Sequence, residues 1–120
     1  MDFAIQVNDG PGASCAAHAY QFIKAAVEEG HRVVRVFFYH EGIYHGFVAA
    51  DREAGEDLAI PTWSELAQRH GIDLVICGSA AARRGMRPPH CVPNPGFRVG
   101  GLGQWMEACL GAERVLVFGG

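Results

Sequence analysis

The sequence predicts an α/β protein, a three-layer α/β/α sandwich around a mostly parallel sheet of about five strands. Three observations lead there. Short apolar runs rich in β-branched and aromatic residues alternate with segments of helical period along all 120 residues. The runs Val33–Phe38 and Leu74–Cys77 are apolar almost throughout, as strands covered on both faces are. Glycines close the helical segments at Gly30, Gly71, Gly85 and Gly111, where a left-handed residue suits a C-terminus. A hydrophobic share of 49% against 19% charged residues allows a well-filled core, and the length fits residues 1–120 as one domain.

Asp2 to Val7 reads as the first strand. Asn8-Asp9-Gly10-Pro11-Gly12-Ala13-Ser14 is a turn-rich loop whose Ser14 suits a helix N-cap. The loop matches neither G-x-x-x-x-G-K-[ST] nor G-x-G-x-x-G, so a plain turn is the favoured reading over a phosphate cradle. Cys15 to Glu29 is a helix, since Ala16, Ala19, Tyr20, Ile23, Ala26 and Val27 keep the i, i+3, i+4, i+7 spacing. His31 to Tyr39 is the second strand. His40 to Gly46 follows as a loop at a carboxyl edge. With Tyr39, His40 and Glu41 it is either the wall of a site, a partner-binding loop, or a solvated turn. Asp51 to Asp57 is a polar surface excursion. Thr62-Trp63-Ser64-Glu65 is a capping box that opens a helix to Arg69 or His70. Asp73 to Cys77 is the third strand; Gly78 and Ser79 form a tight turn, and Ala80 to Arg84 a short helix. Met86 to Gly96 holds four prolines, which fix φ and remove donors, so it is an irregular loop and a candidate lid. Phe97-Arg98-Val99, Gln104 to Leu110 and Arg114 to Phe118 complete the alternation.

Net charge is −3, and the pI lies near 6.0. That balance gives no reason to expect a nucleic-acid footprint, which shows as a strongly basic face. Met1-Asp2-Phe3-Ala4 enters a strand without a basic leader, and no apolar run approaches the ~20 residues that span a bilayer. The expectation is a soluble, cytoplasmic protein that touches neither nucleic acid nor membrane directly. None of Cys15, Cys77, Cys91 and Cys109 forms a C-x-x-C pair. The spacing of His40, His45, His90 and Cys91 fits no common zinc pattern, and no metal or organic cofactor is expected.

Cys77 stands where a strand ends and a helix begins, the edge of an open α/β sheet at which ligands collect. A thiolate is the nucleophilic form of cysteine, and a free thiol titrates near ~8.5. A helix N-terminus favours a nearby anion by about 0.3–1 kcal/mol, which at roughly 1.36 kcal/mol per pKa unit shifts the thiol by less than one unit. Arg83 or Arg84 would add to that if either guanidinium folded back to the sulfur. On position alone Cys77 reads equally as a reactive thiol open to visiting molecules or as a small buried hydrophobe. Cys15, near the start of the first helix, reads as a packed small residue in preference to a second thiol. Cys91, in the proline-rich loop, reads as exposed, either a resolving thiol or a site of adventitious cross-linking. Phe47, Val48, Trp105 and Met106 are candidates for an exposed apolar face or for the core.

The full length resembles the DsrE/TusD family of small sulfur-relay proteins. The resemblance rests on Phe3-Ala4-Ile5-Gln6-Val7-Asn8-Asp9-Gly10-Pro11, Ala19-Tyr20-Gln21-Phe22, Gly30-His31 and Arg35 to Gly42. It continues through Ile76-Cys77 with Ala80 to Gly85, and Gly100-Gly101-Leu102-Gly103-Gln104 with Glu107-Ala108. It implies that Cys77 accepts sulfane sulfur as a persulfide. For such a persulfide the expected anion-holding groups are the helix start at Gly78, Ser79 and Ala80, through its main-chain N–H groups, with Arg83 or Arg84; Tyr39, His40, Glu41, His90 and Cys91 are the expected site wall or partner loop. Implied partners are DsrF/TusC-like and DsrH/TusB-like subunits in an α2β2γ2 hexamer, and a TusA- or DsrC-like donor or acceptor. Gln6 to Pro11 and Gly103-Gln104 resemble the DsrE branch, linked to sulfur oxidation, more than the TusD branch, linked to tRNA thiolation. The chain departs most from the family pattern in the loop from Arg87 to Pro95.

Overall fold

A computed structural model describes residues 1–47, 63–87 and 91–120. Five strands, β1 (Asp2–Val7), β2 (Arg32–Phe38), β3 (Leu74–Cys77), β4 (Phe97–Gly100) and β5 (Arg114–Phe118), form one sheet in the order β4-β3-β2-β1-β5. Every pairing is parallel. Four helices connect them: α1 (Ser14–Glu28), α2 (Trp63–His70), α3 (Gly78–Arg83) and α4 (Leu102–Gly111). The chain steps outward from β1 to β4 and then returns to the far side of β1. Right-handed crossovers therefore put α4 on the face opposite α1 and α2. Ring contacts agree with this: Tyr20 of α1 and Phe38 of β2 both meet Trp63 of α2, whereas Trp105 of α4 stacks on Phe37, the neighbouring residue on the other face of β2.

The helices form where apolar spacing gives them a face to bury. In α1, Ala16, Ala19, Ile23 and Ala26 turn inward, their small side chains letting the helix lie close to the sheet. Three helices end alike. After α1, α2 and α3 come Gly30, Gly71 and Gly85, each with positive φ. After α1 and α3 the next two N–H groups turn back to the last carbonyls (Gly30 to Val27 and His31 to Ala26; Gly85 to Ala82 and Met86 to Ala81). This is the bonding that spares a helix C-terminus from unpaired acceptors.

Several boundaries differ from the sequence reading. Ser14 is the first helical residue rather than the cap; Ala13 holds the extended cap position and no side chain caps α1. Gly78 and Ser79 are not a separate turn but the opening of α3, with Cys77 itself as the extended N-cap. His40–Gly46 is a 3-10 helix, not a loop. The reason is packing: the Gly42 N–H bonds both Asn8 O (3.0 Å) and Tyr39 O (2.8 Å), drawing the segment onto the end of β1. The proposed cap at Thr62, and Val48, lie outside the described residues. Among the described residues no helix is long and apolar enough to cross a membrane.

Candidate functional site

β3 is an interior strand whose four residues are all buried. Cys77 ends it, paired in register with Gly100 of β4. Val75 pairs with Phe37, so Val75 and Cys77 point to the face on which Trp105 stacks. Cys77 has 0% of its surface exposed. This corrects the expectation of a thiol open to visitors. An interior strand flanked on both sides by pairing strands leaves its last residue no free edge, and the sulfur is further occupied by Ser79 Oγ at 3.3 Å. Ser79 was expected to act through its main-chain N–H; here its hydroxyl is the group on the sulfur.

The arginines behave differently from the expectation. Neither is bonded to the Cys77 sulfur. Arg84 donates from Nε to Glu41 Oε1 (3.3 Å) and from NH1 to the Ala80 carbonyl (3.2 Å), closing α3 onto the 3-10 helix. Arg83 is exposed and makes no ion pair among the described residues. Gly78 stands against Val99, where a Cβ would meet its Cγ1 at 3.0 Å, and Ala80 is fully buried. The structure thus brings Cys77 and Ser79 into contact and Glu41 onto Arg84, while Arg83 stands apart.

Tyr39 and His40 share a tilted ring contact, centroids 4.1 Å apart, at the end of β2. His40 adopts φ 49°, a left-handed conformation uncommon outside glycine, which turns the chain from strand into 3-10 helix. Cys91 is half-buried rather than exposed, its thiol 3.6 Å from Met86 Sδ. His90 lies outside the described residues. The described end of the proline-rich loop is fastened to the 3-10 helix. The Asn94 N–H bonds the Gly46 carbonyl (2.7 Å), its side-chain amide bonds the His45 carbonyl (3.2 Å), and Pro93 bridges Phe47.

Sequence reasoning missed the bonding of His45. Its Nδ1 accepts from the Trp63 indole (3.2 Å), so Nε2 carries the proton and donates to the Asp9 carbonyl (2.9 Å). Burial pushes the imidazole below its ordinary value, opposed by the Asp9 bond. Beside it a cavity of about 360 Å3 opens against Pro11, Ser14, Tyr20 and Trp63. Also missed was the pairing of Asp73 with Arg35 and Arg98 at the opposite edge of the sheet. Neither left a local signal, because each joins residues far apart in sequence. Of the apolar candidates, Phe47 and Trp105 are core; Met106 is exposed, as are Leu102, Leu110, Val115 and Val117. No cluster of three or more metal-ligating side chains occurs among the described residues.

A five-stranded parallel α/β sandwich with a cysteine at a strand-to-helix seam defines the class. The chain belongs to the DsrE/DsrF-like family, whose model matches residues 1–118. It is 41% identical over 129 aligned positions to the DsrE protein of Allochromatium vinosum, whose name classes it provisionally as a sulfurtransferase; 99% of each chain is covered. It is 38% identical to the protein named sulfurtransferase TusD homolog in Pseudomonas aeruginosa, covering 100% of this chain and 98% of the relative. The same identity holds for the sulfurtransferase TusD of Salmonella arizonae, with 98% and 100% covered. The crystal structure of the ychN protein from E. coli shares the fold, with TM-score 0.77 at 20% identity over 98% of this chain and 100% of that one.

Proposed function

We propose that this chain is a sulfur-relay protein, a single carrier domain that accepts sulfane sulfur on Cys77 and passes it to a partner protein. The observation that carries this reading is the place of Cys77, at the β3–α3 seam with the Ser79 hydroxyl within hydrogen-bond distance of its sulfur, in a chain whose relatives are named sulfurtransferases. In the reaction the Cys77 thiolate attacks the outer sulfur of a donor persulfide. A new S–S bond forms at Cys77, the donor's S–S bond breaks, and the donor leaves as a thiolate. The number of electrons in sulfur is conserved, so no oxidant enters. The Ser79 hydroxyl donates to the anion of the product, assisted by the main-chain N–H groups of Gly78, Ser79 and Ala80. Because α3 has only six residues, its dipole is small and the hydroxyl carries more of the stabilisation.

The DsrE branch, serving sulfur oxidation in the cytoplasm, is the preferred setting, with TusD-like tRNA thiolation as the alternative. DsrF/TusC-like and DsrH/TusB-like subunits and a TusA- or DsrC-like relay protein are the partners in either. The burial of Cys77 favours a second reading, a non-catalytic scaffold subunit of the same assembly. Incubation with a persulfide donor followed by intact-mass measurement separates the two. The relay reading expects an adduct of one sulfur atom that is lost in Cys77→Ala. An adduct that persists in Cys77→Ala, or none in the parent protein, overturns it.

A further inference from the structure

Cys77 is sealed and Ala80 and Ala81 behind it belong to the core, but the far end of α3 reaches the surface at Arg83. α3 is six residues long, begins at Cys77 itself and places Ser79 on the sulfur. Its far end is held across to the 3-10 helix by one ion pair, Arg84 to Glu41, whose side chains are 23% and 61% exposed. Basic residues cluster in the sequence at this end of α3. Arg83, Arg84 and Arg87 fall within five positions in a chain of net charge −3, and Arg83 and Arg87 are exposed without an ion pair among the described residues. Arg83 lies about 9 Å along the helix from Cys77, from a rise of roughly 1.5 Å per residue.

We propose that the arginine cluster at the end of α3 is the docking surface for an acidic face of the protein that exchanges sulfur with Cys77, and that docking displaces Glu41 from Arg84, releases the end of α3 from the 3-10 helix and so loosens the hold of Ser79 on the sulfur. This rests on the relay reading of Cys77. The chain already shows the recognition: Glu41 occupies Arg84 as a carboxylate that a visitor's carboxylate can replace. That favours an acidic protein surface over nucleic acid, as does the absence of net positive charge. With Glu41 61% exposed the pair is open to solvent on its carboxylate side and weak, so its exchange for an external carboxylate costs little. Several arginines together give a visitor's acids more partners than Glu41 alone has.

The test is the rate of Cys77 alkylation by iodoacetamide in a Cys15→Ser, Cys91→Ser, Cys109→Ser background, at low salt. Glu41→Gln is expected to speed the reaction roughly two- to fivefold, the ratio that corresponds to an exposed pair. Poly-L-glutamate is expected to speed it in the parent protein, and Arg83→Ser with Arg87→Ser to blunt that response. If Glu41→Gln does not fold, the parent's salt dependence decides: a rate rising with ionic strength supports the clasp and a flat one overturns it. An unchanged rate in a folded Glu41→Gln, no response to poly-L-glutamate, or acceleration by single-stranded oligouridylate but not by poly-L-glutamate overturns the proposal. A sulfur adduct on Cys77 with none of these responses leaves the relay standing and removes the docking surface. The responses without an adduct remove the relay reading, and with it the sulfur-exchanging partner, and leave only the Glu41–Arg84 clasp.

Discussion

His45 shows how a single side chain can tie the 3-10 helix to α2 and to the loop after β1. Both ring nitrogens are used, one accepting from Trp63 and one donating to Asp9, so the neutral ring fits and the doubly protonated ring does not. A proton on Nδ1 would face the indole N–H, two donors against each other. Burial accordingly lowers its pKa from the ordinary 6.5. The sign follows from proton uptake. Below about 6.5 the unfolded chain binds a proton that the folded one refuses, so stability is complete above that pH and is lost as pH falls toward the depressed folded value. Urea unfolding between pH 7.5 and 5 is expected to show a decline that is shallower in His45→Gln, whose amide can donate to Asp9 and accept from Trp63. Equal slopes in the two proteins would remove His45 from the pH dependence. Cys77 is the contrasting residue. Its position was legible, because a β-branched run gives way there to alanines. Its burial was not, because exposure at a strand end depends on which strands flank it.

At the scale of elements, the 3-10 helix His40–Gly46 is set by close approach. A Cβ on Gly42 would fall within contact distance of the Val7 carbonyl oxygen, and one on Gly46 would strike the Ile76 side chain. Gly42→Ala is therefore expected to destabilise the protein by about 1–3 kcal/mol or more, since backbone cannot move aside as a flexible side chain does. A denaturant midpoint unchanged within error would show that the segment lifts freely from β1. The same segment explains the limits of the sequence. Strands and helices were readable wherever a period of two or 3.6 residues, or an unbroken apolar run, gave the element a face to bury. The 3-10 helix has no such period, since its glycines answer to atoms of β1 and β3. The Arg84–Glu41 clasp joins residues 43 apart and was likewise out of reach of local pattern.

Across the whole molecule the two ends of the sheet are built differently. At the amino edge Asp73 accepts from Arg35 Nε (2.7 Å) and from Arg98 Nε and NH2 (2.9 Å each). Arg35 also reaches the Gln104 carbonyl (2.7 Å) and Glu107 (3.1 Å). These contacts tie β2, β3, β4 and α4 into one block. The hydrogen bonds from Arg98, then those from Arg35, hold the Asp73 carboxyl below its ordinary 3.8 against the opposing effect of burial; the stability it supplies is present above that pH and lost as pH falls through the depressed value. Cys77 sits at the other end of the same strand, about 13 Å away at roughly 3.3 Å per residue. Removing the carboxylate leaves Nε of Arg35, on a side chain only 15% exposed, without its acceptor, while NH1 keeps Gln104 and Glu107. Asp73→Ala is therefore expected to cost about 1.5–3 kcal/mol, the range for hydrogen bonds to charged groups. If structural cohesion and sulfur chemistry occupy opposite edges, the same variant, held well below its melting temperature, takes up sulfur on Cys77 to the parent's extent. A variant that melts lower and also fails to load at low temperature would mean that the amino-edge network orders the β3–α3 seam as well, and that the two edges are one device.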